Sequence, residues 1–257
     1  MMLAATGRVA SAADDSAVRQ LSRTVIEQAY PRYLTVEPEG STEPGWDSVY
    51  DLYPDLQYVL VGPGGDGVAQ INCVPLGPQP LTSMLPEEGC DWAFAAGTHL
   101  GAAKANRLCI VSVSVVKSRQ SEGIAMRLIQ HVIDRAQRMG LSEVVLAVRP
   151  VGKAQYPLTP IGRYLSWRRS DGLPFDAWVR ANVRAGARQL HACPRSSTIV
   201  HAISDWERFT GLRFPETGTY VIPEAYAPLE VNVEAGTGTY VEPNVWMAYR
   251  LREEPSC

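Results

Sequence analysis

Residues 108–148 read LCIVSVSVVKSRQSEGIAMRLIQHVIDRAQRMGLSEVVLAV, and this stretch decides the fold. The run from Leu108 to Val116 is dense in β-branched residues and predicts a strand. Lys117 to Gly123 is a polar loop ending in a glycine. From there to Met139 apolar residues fall at Ile124, Leu128, Val132 and Ala136, and at Ala125, Ile129 and Ile133. Those two adjoining i, i+4 rows form one face of an amphipathic helix. Gly140 supplies the left-handed stop, and Glu143 to Val148 predicts a buried strand. A strand that feeds a helix through such a loop is where a phosphate can sit. The first amides of the helix are unpaired there, and its dipole is positive.

Toward the N-terminus, residues 17–29 predict a helix with Val18, Leu21, Val25, Ile26 and Ala29 on one face, broken at Tyr30-Pro31. Residues 1–16 are small, polar and Ala-rich, without the apolar core of a signal peptide, and read as a flexible N-terminal arm. A short helix over 46–53 precedes strands at 57–61 and 67–74. The glycine-rich link Gly62 to Gly67 lacks the Lys-Ser/Thr ending of a P-loop and no helix follows it, so it reads as a hairpin turn. Residues 75–86 are Pro-rich loop, and a helix covers part of 87–104.

Beyond Val148 the pattern changes. Residues 149–174 form a long polar connection with four prolines and a helix around Pro160 to Arg169, which reads as a lid-like insertion. A helix over 175–185 stops at Gly186, and Ala187 to Cys193 predicts a strand. A helix follows at Ile203 to Thr210, then strands at Leu229 to Glu234 and Thr239 to Leu251. This order predicts an α/β (α+β) domain over 17–257 with a mixed, mostly antiparallel central sheet flanked by helices. The 108–148 unit is its one clear parallel crossover.

The net charge of −3 gives no electrostatic case for nucleic acid, since phosphate contacts need a surplus of Lys and Arg. No apolar run reaches the length of a membrane span. The five cysteines, Cys73, Cys90, Cys109, Cys193 and Cys257, are odd in number and show no C-x-x-C spacing. They read as free thiols in a reducing cytoplasm, and no metal site is expected.

Gln120-Ser-Glu-Gly123-Ile-Ala125 resembles the R/Q-x-x-G-x-G/A signature of the GNAT acyltransferase superfamily, in its usual place between a β-branched strand and an amphipathic helix. Val179 to Gly186 stands where that superfamily carries a later helix ending in glycine. The resemblance implies the GNAT fold with splayed central strands, and acetyl-CoA or another acyl-CoA as co-substrate. The backbone of Val115 would meet pantetheine, and the Val113 amide would face the thioester carbonyl as an oxyanion stabiliser. The amides of Gln120, Ser121, Glu122, Gly123, Ile124 and Ala125 would cradle the pyrophosphate, with the Glu122 side chain turned outward. Arg149-Pro150, Lys153, Tyr156 to Leu158, Asp171 to Trp178 and Tyr240 to Met247 are similar to a long bacterial subgroup in natural-product gene clusters. That subgroup is similar to GNAT-like loading domains of polyketide synthases, which are associated with decarboxylating malonyl-type thioesters and priming carrier protein.

Two departures from the superfamily pattern matter. Asn182 stands where many members have a tyrosine that protonates the leaving thiolate, and an amide can only donate a hydrogen bond to the sulfur or thioester oxygen. The strand 108–116 carries no acid to deprotonate an amine, only Ser112 and Ser114. Glu242 is the first candidate base, ahead of His191, His201 and Tyr249. Arg149 and Lys153 are candidate clamps for a CoA phosphate or a carboxylate, and Tyr156, Trp178 and Trp246 candidate walls of an acceptor pocket. The expected function is acyl transfer from acyl-CoA to the amine of a small natural-product-type molecule in a ternary complex. Malonyl-thioester decarboxylation, loading of an acyl carrier protein, and an idle acyl-CoA-binding domain stay open. A homodimer paired through the tail hairpin also stays open.

Overall fold

The computed structural model describes residues 7–36, 45–78, 85–100 and 104–251. In chain order the elements are β1 (Arg8–Ser11), α1 (Val18–Ala29), α2 (Ser48–Leu52), β2 (Gln57–Val61), β3 (Gly67–Leu76), α3 (Gly89–Leu100), β4 (Arg107–Val115) and α4 (Ile124–Arg138). They continue with β5 (Glu143–Val148), α5 (Ile161–Ser166), α6 (Ala177–Arg184), β6 (Arg188–Ala202), α7 (Ile203–Thr210), β7 (Gly218–Tyr220), β8 (Leu229–Asn232) and β9 (Thr237–Arg250).

One sheet runs β1-β2-β3-β4-β5-β9-β8-β7, with β6 on the other edge of β9. Every pairing is antiparallel except β4 with β5, the strands joined through α4. The α4 rows seen in the sequence bury Ile124, Leu128, Ile129, Val132 and Ala136. These side chains share one core with β2 to β5 and the end of β9. A second cluster, centred on Trp206 and Tyr240, fixes α7 and the β8–β9 hairpin.

The β4–β5 ladder stops early. Its last paired residues are Ile110 and Leu146, although β4 runs on to Val115 and β5 to Val148. The cause lies on the other edge of β4. Ser112 pairs with Asn72 and Ile110 with Cys73, which leaves Val111 as an extra, bulged residue. A bulge bends its strand and increases the local twist, so β4 turns away from β5 beyond this point. A wedge opens between the two central strands.

A second gap lies on β9. Its first residues, Thr237 to Tyr240, pair with β8, and Val245 to Arg250 pair with β5. Residues 241–244 therefore face the space where β5 has ended and β8 has not begun. Glu242 belongs to this stretch.

Several sequence expectations are corrected. Arg8–Ser11 is an edge strand paired with β2 rather than part of an arm, and residues 1–6 lie outside the described residues. The strand expected to end at Cys193 continues to Ala202, because the irregular register between Cys193 and Ser197 accommodates Pro194 on an edge strand. The connection after β5 packs on itself. Tyr156, Tyr164, Trp167 and Phe175 pack edge to face or tilted on one another. Asp176 caps α6 through the Trp178 and Val179 amides and also accepts from the Gly152 amide and the Tyr164 hydroxyl.

Candidate active site

The wedge between β4 and β5 opens into a cleft of about 1090 Å³. Its walls come from α1, α3, the bulged part of β4, the end of β5, and the facing parts of β6 and β9. None of residues 150–177 lines it, so the connection after β5 does not cover this cleft. Among the described residues, no helix is long and apolar enough to cross a membrane, and no group of three His, Cys, Asp or Glu is placed to hold a metal ion.

Backbone groups of β4 point into the wedge. The Val116 amide donates to Val68 of β3 at 3.0 Å, so the alternation of an antiparallel ladder turns Val115 and Val113 the other way. Their carbonyls agree, since each meets a side chain instead of β3. The Tyr30 hydroxyl donates to Val113 O at 3.2 Å, and Gln120 Nε2 donates to Val115 O at 3.2 Å. The Val113 and Val115 amides share that side of the strand, beyond the last β5 pairing.

The loop after β4 carries two left-handed residues, Ser121 at φ 67° and Gly123 at φ 78°. A left-handed turn among successive amides makes a concavity suited to anions. Gly123 immediately precedes α4, whose first main-chain bond to the loop is Arg127 N to Gly123 O at 3.2 Å. The amides of Ile124, Ala125 and Met126 therefore have no helical acceptor. Glu122 forms an exposed pair with Arg119, Oε1 to Nε at 2.8 Å and Oε2 to Nη2 at 2.8 Å. The residues present fit the chain of amides in pantetheine and a pyrophosphate.

At the end of β5, Arg149 Nε donates to Glu242 Oε1 at 2.9 Å, and the Tyr240 hydroxyl donates to Glu242 Oε2 at 3.1 Å. The guanidinium lies 4.0 Å from the ring centre of Tyr226 and 5.6 Å from that of Tyr30. Burial works against the Arg149 charge, but the Glu242 carboxylate more than offsets it and raises the pKa. Arg149 and Glu242 both line the cleft, as do Val113 and Trp178. Glu242 is thus held by two donors, which makes it an anchor for Arg149.

Other expected site residues lie elsewhere. Asn182 is fully buried. Its Nδ2 donates to Trp178 O at 2.9 Å and its Oδ1 accepts from the Tyr249 hydroxyl at 2.8 Å. Its amide is committed within the core, away from the cleft, so the assistance to sulfur expected of it is corrected. Lys153 is 1 % exposed, and its Nζ donates to the carbonyls of Tyr156 at 2.7 Å and Tyr226, so it is no phosphate clamp. Tyr156 belongs to the aromatic cluster after β5. Trp246 is fully buried, donates from Nε1 to Pro86 O at 2.8 Å and packs on Trp92. Neither walls the cleft. His191 is bonded to Leu85 O and His201 to Tyr33 O, and neither reaches the cleft.

Three cleft residues were not singled out by the sequence. Tyr30 closes α1, and burial raises the pKa of its hydroxyl, which stays protonated at neutral pH. Cys90 donates its thiol to the carbonyl of bulged Val111 at 3.3 Å, and burial pushes its pKa up, so it stays a thiol. Asp91, beside it, accepts from the Thr198 amide at 2.8 Å and has no ion-pair partner among the described residues. Although open to the cleft, it is crowded enough that desolvation raises its pKa, with the Glu242 charge adding to the effect. The signals for these residues were an aromatic hydroxyl at a helix end and an unpaired acid in the first turn of a helix.

The acetyltransferase (GNAT) family model matches residues 26–158, just over half the chain, from the end of α1 past Lys153. The arginine N-acetyltransferase avaD of Aspergillus versicolor is 26 % identical over 255 residues, covering 88 % of this chain and 87 % of that protein. Among solved structures, the loading GNATL domain of CurA from Lyngbya majuscula superposes with a TM-score of 0.59 at 16 % identity, over 95 % of this chain and 96 % of that one. The GNAT-like decarboxylase GphF, in complex with isobutyryl-CoA, superposes with a TM-score of 0.57 at 13 % identity, over 95 % and 100 %. At those identities the superpositions show a shared fold.

Proposed function

The chain belongs to the GNAT acetyltransferase family, and from that premise we propose that it transfers an acyl group from acyl-CoA to the amine of a small molecule. The observation that carries this reading is the wedge itself. Past Ile110 and Leu146 the two central strands part, and the Val113 and Val115 backbones turn into the gap beside the unpaired amides of α4.

Each residue then has a stated task. Val115 and its neighbours bind the pantetheine amides as an added strand, and the amides of Gln120 to Ala125 hold the pyrophosphate. The Val113 amide donates to the thioester oxygen as negative charge develops on it. Tyr30, whose hydroxyl already reaches Val113, gives a proton to the departing sulfur in place of the committed Asn182. Asp91, an unpaired carboxylate of the cleft with a raised pKa, takes the proton lost by the amine. With Cys90 held as a neutral thiol, attack is direct, without an acyl-enzyme.

The relative avaD is named for arginine, which supports an amine acceptor over a carrier-protein thiol. The test is to incubate the protein with acetyl-CoA and a panel of small amines and to titrate released CoA thiol. Amine-dependent release with a matching amide in the mass spectrum is expected. Conversion of malonyl-CoA to acetyl-CoA without amine acylation would make it a decarboxylase. Acyl-CoA binding without either reaction would make it an idle binder.

A further inference from the structure

We propose that the acceptor is an α-amino acid, held by its carboxylate on Arg149 so that its amine meets the thioester at Val113; the assignment rests on the acyl-transfer reading above.

The Arg149 guanidinium uses Nε alone, toward Glu242, and no hydrogen bond engages Nη1 or Nη2 among the described residues. Nη2 is buried and without a partner. A buried donor left unpaired is costly, and such groups are rare enough in folded proteins to need an explanation. The unused Nη edge is a planar fork of N–H groups, the arrangement that matches a carboxylate with two parallel hydrogen bonds.

The fork is also held still. Glu242 fixes the Nε edge, Tyr240 fixes Glu242, and the guanidinium face lies on the Tyr226 ring. Orientation is thus set before any ligand arrives, which lowers the cost of binding. The Glu242 carboxylate beside the cation offsets part of its charge, so the fork suits a single carboxylate better than a phosphate.

Position ties this fork to the reaction. Arg149 directly follows β5 and adjoins Ala147 and Val148, which line the wedge on that side. Tyr30 bridges the rest of the distance, its ring facing Arg149 and its hydroxyl on Val113 O. A carboxylate seated at Arg149 therefore lies one tyrosine ring away from Val113, on the side where the amine has to approach the thioester.

The same fork could in principle take a carboxylate on the acyl group, as in a malonyl thioester, and the experiment separates the two sources. The wild-type protein is assayed with acetyl-CoA and the common amino acids. Each one that is acetylated is compared with its decarboxylated amine and its methyl ester, for example arginine, agmatine and arginine methyl ester. We expect kcat/KM to fall at least about 100-fold on losing the carboxylate. In Arg149→Lys and Arg149→Gln the preference for acid over amine should shrink toward unity, while KM for acetyl-CoA is kept. Calorimetric binding of the same ligands to the CoA-loaded wild-type protein reads the carboxylate site without turnover. Carboxylate-dependent binding there sustains the assignment even if acyl transfer fails. The proposal is overturned if agmatine and the ester serve as well as arginine, or if no amino acid is bound or acetylated. It is also overturned if malonyl-CoA outcompetes acetyl-CoA in an Arg149-dependent way while amino acids do not bind.

Discussion

The hydroxyl of Tyr30 lies 3.2 Å from the carbonyl oxygen of Val113 and donates to it across the wedge between the two central strands. The contact joins the end of α1 to the part of β4 that β5 does not cover. Tyr30→Phe removes the hydroxyl and keeps the ring that faces Arg149. If Tyr30 protonates the leaving sulfur, kcat should drop by about 100-fold, at the low end for general acids because a thiolate leaves readily. KM for acyl-CoA should change little. Steady-state kinetics with varied acyl-CoA reads both, and an unchanged kcat would reduce Tyr30 to a packing role.

Asn182 should behave in the opposite way. Asn182→Ala leaves the Tyr249 hydroxyl without its acceptor in the core and removes the side-chain donor to the Trp178 carbonyl. Urea denaturation should show a loss of about 2–3 kcal/mol, the cost of a buried hydrogen-bonding group left unpaired plus the lost packing. The kcat of the folded fraction should stay near that of the wild type. A large fall in kcat with unchanged stability would return Asn182 to the chemistry.

Lys153 gives a pH signature. Burial lowers its pKa from 10.5 to about 8. Between those values the unfolded chain keeps a proton that the folded chain has released, so the Lys153 contribution to stability rises with pH through that window. Below it both states are charged, and the contribution is flat. Lys153→Met should lower stability by about 3 kcal/mol, because carbonyls of Tyr156 and Tyr226 lose their donor. The stability gap between wild type and variant, followed by denaturation from pH 7 to 10.5, should widen as pH rises. A constant gap would contradict the shift.

The placement of α3 depends on a close approach. A Cβ added at Gly97 would stand 2.5 Å from both Cβ and Cγ2 of Val74 on β3, inside any real contact distance. Gly97→Ala should therefore cost about 1–3 kcal/mol through overpacking. Because α3 carries Cys90 and Asp91 at its other end, the same variant should lower acyl transfer at temperatures where it remains folded. Thermal unfolding compared with residual activity checks both effects.

Where local pattern and burial coincide, the sequence was readable. The α4 rows became its buried face, and β5 was bounded at Glu143 and Val148 in both descriptions. Properties that depend on distant partners were hidden. Lys153 looked like an exposed cation because nothing local shows that the Tyr226 carbonyl, 73 positions away, accepts its hydrogen bond. Asn182 fell at the expected spacing, but its burial depends on Tyr249 on the last strand. The bulge at Val111 has no residue signature either, since only the pairing of β3 against β4 creates it. Glu242 was noticed beside a distinctive motif, yet its bond to Arg149 arises only where β9 passes the end of β5.

The central claim is that a CoA thioester lies across the bulged part of β4 with its carbonyl at the Val113 amide. A crystal structure with acetyl-CoA or a non-hydrolysable analogue tests it most directly. The account predicts pantetheine amides hydrogen-bonded to Val115, pyrophosphate oxygens on the amides of Gln120 to Ala125, and the thioester oxygen about 3 Å from Val113 N. It also predicts the Tyr30 hydroxyl within hydrogen-bonding reach of the sulfur. Pantetheine bound outside the wedge, with Tyr30 still on the Val113 carbonyl, would contradict it.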